Sequence, residues 1–367
     1  MTTPLDAALA PLVERVLAAQ RSGVHLEIRG GGTKRFYGET PAGEPLDVTG
    51  LSGISSYEPS ELVVTARCGT PLAELEAVLA ERGQCLPFEP PHFGPGATVG
   101  GMVAAGLAGP SRACVGGLRD YMLGVTVLNG RGEVLSFGGQ VMKNVAGYDV
   151  SRLMAGSLGT LGVICEVSLK VLPIAPATAT LRFEMGEGSA IEQLNRWGGQ
   201  PLPLNASAWW DGALLLRLRG AMAAVQGAAR TLGGELIDGA HASAFWHGLR
   251  EHSDDYFIGA RRAVESGSGA RLWRLSLPQT APPLALNGEQ LIEWGGGQRW
   301  LCTALPAAQV REATARFGGH ATIFNAQDRS PGVFAPLRTP LDRSHRQMKK
   351  AFDPEGVFNP GRMFPGV

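Results

Sequence analysis

The stretch PGATVGGMVAAGLAGPSR, residues 95–112, decides how this chain is expected to fold. It holds five glycines, and its other residues between 97 and 108 are mainly Ala, Val, Thr and Leu, whereas a surface linker would be more polar. Glycine is favoured where the backbone needs positive φ or a close approach. The stretch therefore predicts buried, irregular backbone beside a short helix. Two interpretations remain open: close approach to a flat ligand, or tight packing against a neighbouring helix.

A second glycine-rich stretch, IRGGGTKRFYG at residues 28–38, follows a strand expected at 24–28. Successive glycines can turn several backbone N–H groups toward one anion, and Thr33, Lys34 and Arg35 add a hydroxyl and positive charge. The alternative is a tight β-turn with solvated basic residues.

Composition excludes several classes of protein. Lys plus Arg and Asp plus Glu balance at 33 each, which argues against a nucleic-acid-binding protein. The length of 367 residues predicts about two domains. Five scattered cysteines without a C-x-x-C pair argue against an iron–sulfur or zinc site within the chain, so no metal is expected. We find no secretory signal and no transmembrane segment, and expect a cytoplasmic protein.

Periodicity and turn signals predict an α+β fold. Thr70 is expected to cap a helix that has Pro71 at its first position and ends near Arg82. Asn129-Gly130 predicts a hairpin turn. The other expected helices span 5–20, 148–155, 189–197, 221–232, 306–317 and 341–352. The expected strands span 61–68, 124–128, 133–137, 162–170, 179–184, 205–210, 213–219, 234–238, 271–277, 289–294, 298–303 and 320–324. The order of strands and helices after Pro176 suggests a repeat in an antiparallel sheet.

Two nucleotide-binding motifs are absent from the sequence. The G-x-G-x-x-G fingerprint needs a third Gly three residues after a Gly-x-Gly pair. For the pairs in this chain, that position is residue 35, 99, 135, 191, 272 or 300, and none of these is Gly, so the fingerprint is missing. No G-x-x-x-x-G-K-[ST] loop occurs either. A Rossmann-type NAD site and a P-loop are both disfavoured.

Taken together, five segments resemble the vanillyl-alcohol-oxidase, or PCMH-type, superfamily of FAD-binding proteins. The resemblance is greatest to the FAD-binding E-type subunits of bacterial glycolate oxidases. The segments are 28–38, 95–112, 116–135, 143–173 (which contains KNVAGYD) and 352–362. The resemblance implies a two-subdomain PCMH-type domain at 1–175 and an α+β, ferredoxin-like antiparallel domain at 176–340. It also implies a helix and tail at 341–367 that return toward the flavin.

The same resemblance implies non-covalent FAD and a set of residues that bind it. The first loop is expected to hold the pyrophosphate and the second glycine segment to lie along the pyrophosphate and isoalloxazine. The expected FAD-binding residues are Arg29, Gly30, Gly31, Gly32, Thr33, Lys34, Pro95, Gly96, Ala97, Thr98, Val99, Gly100, Gly101, Ser111, Arg112, Gly159, Gly162, Val163, Ile164, Asn359 and Arg362.

Histidines mark the departures from the superfamily. Some relatives attach flavin through a His at the first loop, where this chain has Thr33 and Lys34. His92 is expected to be packed or solvated, with a covalent or redox role as the alternative. The His-x-Gly-Asp-Gly-Asn motif of catalytic relatives is absent, and His241, His247 and His252 lack metal-ligand spacing, so we expect a surface helix there.

Other single residues carry weaker expectations. Two alternatives are expected for Arg112, Arg119 and Asp120: they line the flavin cleft, or they form structural ion pairs. Trp209, Trp210 and Trp246 are expected in the core of the second domain, and Lys349 and Lys350 on a solvated helix face. Tyr148 and Asp149 pack near the flavin, or Asp149 caps a helix.

By resemblance, we expect a subunit of a complex that oxidises glycolate or D-lactate to the 2-oxo acid. A partner subunit with its own FAD would oxidise the small 2-hydroxy acid, an iron–sulfur subunit would take the electrons, and this chain would hold FAD for electron transfer. Any contact with the cytoplasmic membrane would be peripheral and through partners. Two alternatives stay open: a self-sufficient FAD-dependent dehydrogenase, and a structural subunit without flavin. The catalytic residues are not identified by the sequence.

Overall fold

The computed structural model describes residues 7–139 and 149–367. The strands are β1 Leu26–Arg29, β2 Glu44–Asp47, β3 Ile54–Glu58, β4 Val63–Arg67, β5 Gln84–Cys85, β6 Met122–Leu128, β7 Val134–Gly138, β8 Val163–Lys170, β9 Leu172–Pro173, β10 Ala177–Glu184, β11 Leu204–Trp210, β12 Ala213–Gly220, β13 Glu235–Ile237, β14 Arg271–Ser276, β15 Glu289–Glu293, β16 Gln298–Thr303 and β17 His320–Asn325. The helices are α1 Ala10–Ser22, α2 Leu72–Glu81, α3 Val99–Ala105, α4 Arg112–Val115, α5 Leu118–Tyr121, α6 Val150–Met154, α7 Glu187–Gly198, α8 Met222–Leu232, α9 Gly239–Glu251, α10 Asp255–Glu265, α11 Ala307–Arg316 and α12 Leu341–Phe352.

An antiparallel sheet of order β3-β4-β8-β6-β7 forms the centre of the first half of the chain. Its inner strand β8 alternates only weakly, because Val163, Val167 and Leu169 are buried together with most of their neighbours. Helices α2 and α3 pack against this sheet through one apolar core. Strands β1 and β2 form a separate parallel pair, and β1 runs directly into the first glycine loop.

The second half of the chain forms one antiparallel sheet of order β13-β10-β12-β11-β15-β16-β14-β17. This sheet consists of two units of four strands, β10–β13 and β14–β17. When the strands are numbered within each unit, both units have the order 4-1-3-2, and their second strands, β11 and β15, pair at the centre of the sheet. This order is that of a ferredoxin-like unit, so the structure confirms the repeat. The expected α+β class with antiparallel sheets is confirmed as well.

The end of the chain returns to the first half. Phe358 forms a parallel bridge with Leu26 of β1, and the Leu26 N–H donates to the Val357 carbonyl at 2.7 Å. Residues 357–362 therefore lie beside β1 and the glycine loop that follows it.

One local expectation was wrong, and one helix was missed. Thr70 does not cap α2: Pro71 occupies the cap position, and the Thr70 hydroxyl accepts from the Gly53 N–H at 2.9 Å and donates to its carbonyl. Helix α10 was not expected at all. Tyr148 and residues 143–148 of the KNVAGYD segment lie outside the described residues.

Candidate functional site

The two glycine loops lie in direct contact. A Cβ on Gly31 would come within 1.5 Å of the Gly96 carbonyl oxygen, and one on Gly30 within 2.6 Å of the Thr98 hydroxyl. That hydroxyl is fixed, since it accepts from the Gly101 N–H at 3.1 Å and caps α3. Only glycine therefore permits this approach of the backbones.

A cleft of about 640 Å³ opens between the first loop, α3 and the returning tail. It brings together ten of the residues expected from the sequence: Arg29, Gly30, Gly31, Gly32, Thr33, Lys34, Thr98, Gly101, Asn359 and Arg362. The sequence interpretation missed others that also line it: Glu27, Ile28, Pro41, Ala104, Ala105 and Leu158, and it noted Arg35 only as a nearby charge.

The loop presents unpaired donors to this cleft. Within the described residues, no protein group accepts a hydrogen bond from the backbone N–H groups of residues 31–34. The loop turns through Gly32, with φ of 73°, and the Arg35 N–H donates back to the Gly32 carbonyl at 3.1 Å. Successive free N–H groups form a site for an anion.

Arg362 supplies a buried cation to the same cleft. Its Nη2 donates to the carbonyls of Arg35 at 2.8 Å and Tyr37 at 2.5 Å, while its buried Nη1 has no partner within the described residues. Burial, with Arg329 nearby, lowers the pKa of Arg362 to about 10, so it remains charged at neutral pH. An unpaired buried guanidinium nitrogen fits an anionic ligand.

The charge of the cleft is positive. Arg29, Lys34, Arg35 and Arg362 line it against one acid, Glu27. Arg35 donates to Glu27 at 2.7 and 3.1 Å and thereby lowers the pKa of that carboxyl. Burial lowers the pKa of Lys34 to about 8, although the negative charge of Glu251 acts in the opposite direction. The Lys34 ammonium donates to the His92 carbonyl at 3.1 Å. The free N–H groups and net positive charge fit the diphosphate of FAD, which carries about two negative charges.

Asn359 joins the tail to the loop. Its Oδ1 accepts from the Ile28 N–H at 2.7 Å, and its Nδ2 donates to the Leu158 carbonyl at 2.6 Å. Both polar ends of the side chain are used by backbone, so Asn359 positions the walls of the cleft.

The remaining expected FAD-binding residues do not line this cleft: Pro95, Gly96, Ala97, Val99, Gly100, Ser111, Arg112, Gly159, Gly162, Val163 and Ile164. Several support it from behind. Gly96 abuts Gly31, and Gly159 abuts Asn359. The Ser111 hydroxyl donates to the Pro87 carbonyl at 2.6 Å, and the Arg112 guanidinium lies 4.7 Å from the Trp294 ring.

The structure corrects two of the weaker expectations. His252 does not lie on a solvated helix face: it follows the last residue of α9 and stacks on Phe257 with ring centroids 3.6 Å apart. Lys349 is buried and pairs with Asp353 at 2.7 Å, whereas Lys350 is exposed as expected.

Other expectations of this kind hold. His241 and His247 are exposed on α9, and Trp246 is buried in the second half of the chain, with Trp209 and Trp210 partly buried there. His92 is packed, with its Nε2 2.9 Å from Glu76. Asp149 caps α6. The expectation for Arg112, Arg119 and Asp120 was wrong, because within the described residues none of them lines the cleft or forms an ion pair: Arg112 lies over the Trp294 ring, Arg119 is exposed, and Asp120 accepts from the Gly117 N–H.

Comparison with known proteins identifies the family. Residues 9–138 match the family described as FAD binding domain. Over 353 residues, 96% of each protein, the chain is 48% identical to glycolate oxidase subunit GlcE of Escherichia coli (strain K12). The chain belongs to the GlcE family. The expected PCMH-type FAD-binding domain, FAD as its cofactor and membership of an oxidoreductase family are thereby confirmed.

More distant relatives match the GlcE-family chain in part or in fold. Glycolate oxidase subunit GlcD of Bacillus subtilis (strain 168) is 30% identical over 183 residues, 48% of this chain and 39% of that protein. A solved structure of alkyldihydroxyacetonephosphate synthase superposes with a TM-score of 0.63 at 15% identity. It covers 96% of this chain and 74% of the synthase, and so shows a shared fold.

The described residues hold neither a candidate metal centre nor a helix fit to span a membrane. No group of three or more His, Cys, Asp or Glu in these residues has the geometry to hold a metal ion. No helix there has the length and apolar composition that crossing a bilayer requires.

Proposed function

We propose that this chain is the FAD-holding subunit of a glycolate oxidase complex that oxidises glycolate, or D-lactate, to the 2-oxo acid. The observation that carries the proposal is the cleft of free backbone N–H groups and unpaired Arg362 nitrogen. It occurs in a chain nearly half identical, end to end, to a glycolate oxidase subunit.

The residues of the cleft have distinct tasks in this proposal. The N–H groups of residues 31–34 and the Arg362 guanidinium hold the diphosphate, and Asn359 keeps the tail against β1. Bound FAD supplies an acceptor for two electrons that can pass them on singly. Thr33 stands where some relatives have a flavin-linked His, so FAD is held without a covalent bond.

The roles of the three subunits are assigned from two motifs that the sequence of this chain lacks. It contains neither the His-x-Gly-Asp-Gly-Asn motif nor a C-x-x-C pair. We therefore assign substrate oxidation to a partner subunit with its own FAD and electron exit to an iron–sulfur subunit, with this chain relaying or supporting electron transfer. The complex is placed in the cytoplasm, with any membrane contact made through partners.

The proposal also assigns domains to these tasks. Residues 1–175 form the FAD-binding domain, residues 176–340 the α+β domain, and residues 341–367 the helix and tail that complete the cleft. The β-sheets support this division, since among the described residues no strand of β1–β9 pairs with a strand of β10–β17.

Flavin content and partner capture test the proposal. The chain is co-expressed with candidate partner subunits, and its FAD is counted before and after acid precipitation. We expect about one FAD per chain, released into the supernatant by acid, and co-purification with both partners. Colourless protein, flavin that stays with the precipitate, or a chain that captures neither partner would overturn it.

A further inference from the structure

A tight turn at residues 92–94 leads into the second glycine segment. Phe93 has an uncommon positive φ of 55°, and Gly94 follows with a φ of 143°. Two residues further along the chain, Gly96 abuts Gly31 of the first loop. Positive φ in a bulky residue persists only where the surrounding contacts hold it, and such residues concentrate at ligand sites. The shape of this turn therefore decides where the second glycine segment meets the first loop.

Glu251, the last residue of α9, holds the turn from the second half of the chain. Its Oε2 accepts from the Phe93 N–H at 2.8 Å and from the His92 N–H at 3.0 Å. The side chain is only 13% exposed, and its Oε1 lies 2.8 Å from Nε of Arg250. Hydrogen bonds to a carboxylate are shorter and stronger than those between neutral groups. Glu251 thus fixes two successive backbone N–H groups of the segment that enters the cleft.

The first half of the chain holds the same turn from the other side. Lys34 of the first loop donates to the His92 carbonyl at 3.1 Å, and the His92 ring lies 2.9 Å from Glu76 of α2. The negative charge of Glu251 also favours the charged form of Lys34. Glu251 therefore has two ways to act on the cleft: through its hydrogen bonds to the turn, or through its charge.

We propose that Glu251 is a positioning residue for FAD and acts through its hydrogen bonds to the turn. These bonds keep Gly96 against Gly31, and thereby keep the free N–H groups of the first loop directed at the diphosphate. Glu251 lies outside the lining of the cleft. The inference rests on the proposed FAD-holding function and adds that the second half of the chain takes part in it.

Titration of the full-length apoprotein with FAD separates the two ways. Glu251→Asp keeps the charge, but its side chain is one methylene shorter and no longer reaches both N–H groups. We expect FAD binding to weaken at least about tenfold, because hydrogen bonds to a charged group are lost. Glu251→Gln loses the charge but keeps an acceptor oxygen at the same reach, so its affinity should stay within about threefold of that of the parent.

Asp238→Ala is the matched control. Asp238 precedes the first residue of α9, and its carboxylate also accepts from two backbone N–H groups, those of Ala240 at 2.9 Å and His241 at 3.3 Å. Loss of this cap should lower the melting temperature. FAD affinity should stay unchanged, because these bonds lie at the opposite end of α9 from the turn. Melting curves show whether each variant is folded, and if Glu251→Asp is not, Glu251→Ala takes its place with the same expectation.

Weak FAD binding by Glu251→Asp, with near-parent binding by Glu251→Gln and Asp238→Ala, supports the proposal. Parent-like affinity of Glu251→Asp would overturn it. A loss in Glu251→Gln as large as that in Glu251→Asp would assign the effect to charge, and an equal loss in Asp238→Ala would assign it to general loosening of α9; either result also overturns it. Failure of the parent apoprotein to bind FAD would contradict the proposed function itself, so the two failures are distinguishable.

Discussion

Arg362 is the residue on which the proposed diphosphate contact depends most. Its Nη2 is used by two carbonyls, and its buried Nη1 is free. Replacing Arg362 with Met should weaken FAD binding about ten- to a hundredfold, because a hydrogen bond to a charged group is lost. Titration of the apoprotein with FAD measures this. Arg343→Met, an exposed arginine of α12, is the matched control, and unchanged affinity in Arg362→Met would refute the contact.

Glu293 gives a prediction about pH. Its folded pKa of about 7 exceeds the unfolded value of about 4.3, so between these values the folded chain holds a proton that the unfolded chain has lost. The free energy of unfolding therefore falls as pH rises through this window. From pH 5 to pH 8, the parent should lose on the order of 2–3 kcal/mol more than Glu293→Gln.

Urea unfolding of both proteins at the two pH values measures that difference. Asp254, whose pKa burial raises to about 6, shifts stability in the same direction in both proteins, and its charge repulsion from Glu293 is part of the difference measured. Identical pH dependence of the parent and Glu293→Gln would show that Glu293 ionises normally in the folded chain.

At the scale of elements, the contact between the glycine loops is the sharpest feature. Gly31→Ala places a Cβ 1.5 Å from a backbone oxygen that cannot turn away, so the loop or α3 must shift. We expect a loss of about 1–3 kcal/mol in stability together with reduced FAD content. Gly50→Ala, with nothing within 4 Å of its Cβ, should change neither. Thermal melting and flavin absorbance check both, and full FAD content in Gly31→Ala would contradict the geometry.

Helix α12 is fastened to the rest of the chain by one buried ammonium. Lys349 donates at 2.7 Å to Asp353, the Thr160 carbonyl and the Phe358 carbonyl. Lys349→Met leaves Asp353 buried without its partner and should cost about 3–5 kcal/mol. The adjacent, exposed Lys350→Met should stay within about 0.5 kcal/mol of the parent. Denaturant unfolding measures both, and equal effects would mean that the pair is solvated in solution.

Much of the fold was predictable because its elements carry local signals. Strands such as 162–170 and 205–210 alternate apolar with polar residues or lie next to turns. The glycine loops indicate the cleft, because glycine allows positive φ and a close approach of the backbone. The failures arise from long-range contacts. Thr70 bonds to Gly53, seventeen residues away, and no local pattern indicates that partner. His252 turns inward because α9 ends one residue earlier, at a position where glycine is usual.

At the scale of the whole molecule, the cleft joins both ends of the chain. The first loop begins near residue 29, and the residues that close it come from 357–362. The sequence indicates the two segments separately, but only the fold shows that Arg362 reaches the loop.

We propose that this chain holds FAD for electron transfer while a partner oxidises the substrate. Anaerobic mixing with glycolate, followed by the visible absorbance of the flavin, tests it most directly on the isolated FAD-loaded chain and on the assembled complex. We expect fast flavin reduction in the complex and little or none in the isolated chain. Reduction of the isolated chain at the rate of the complex would contradict the claim.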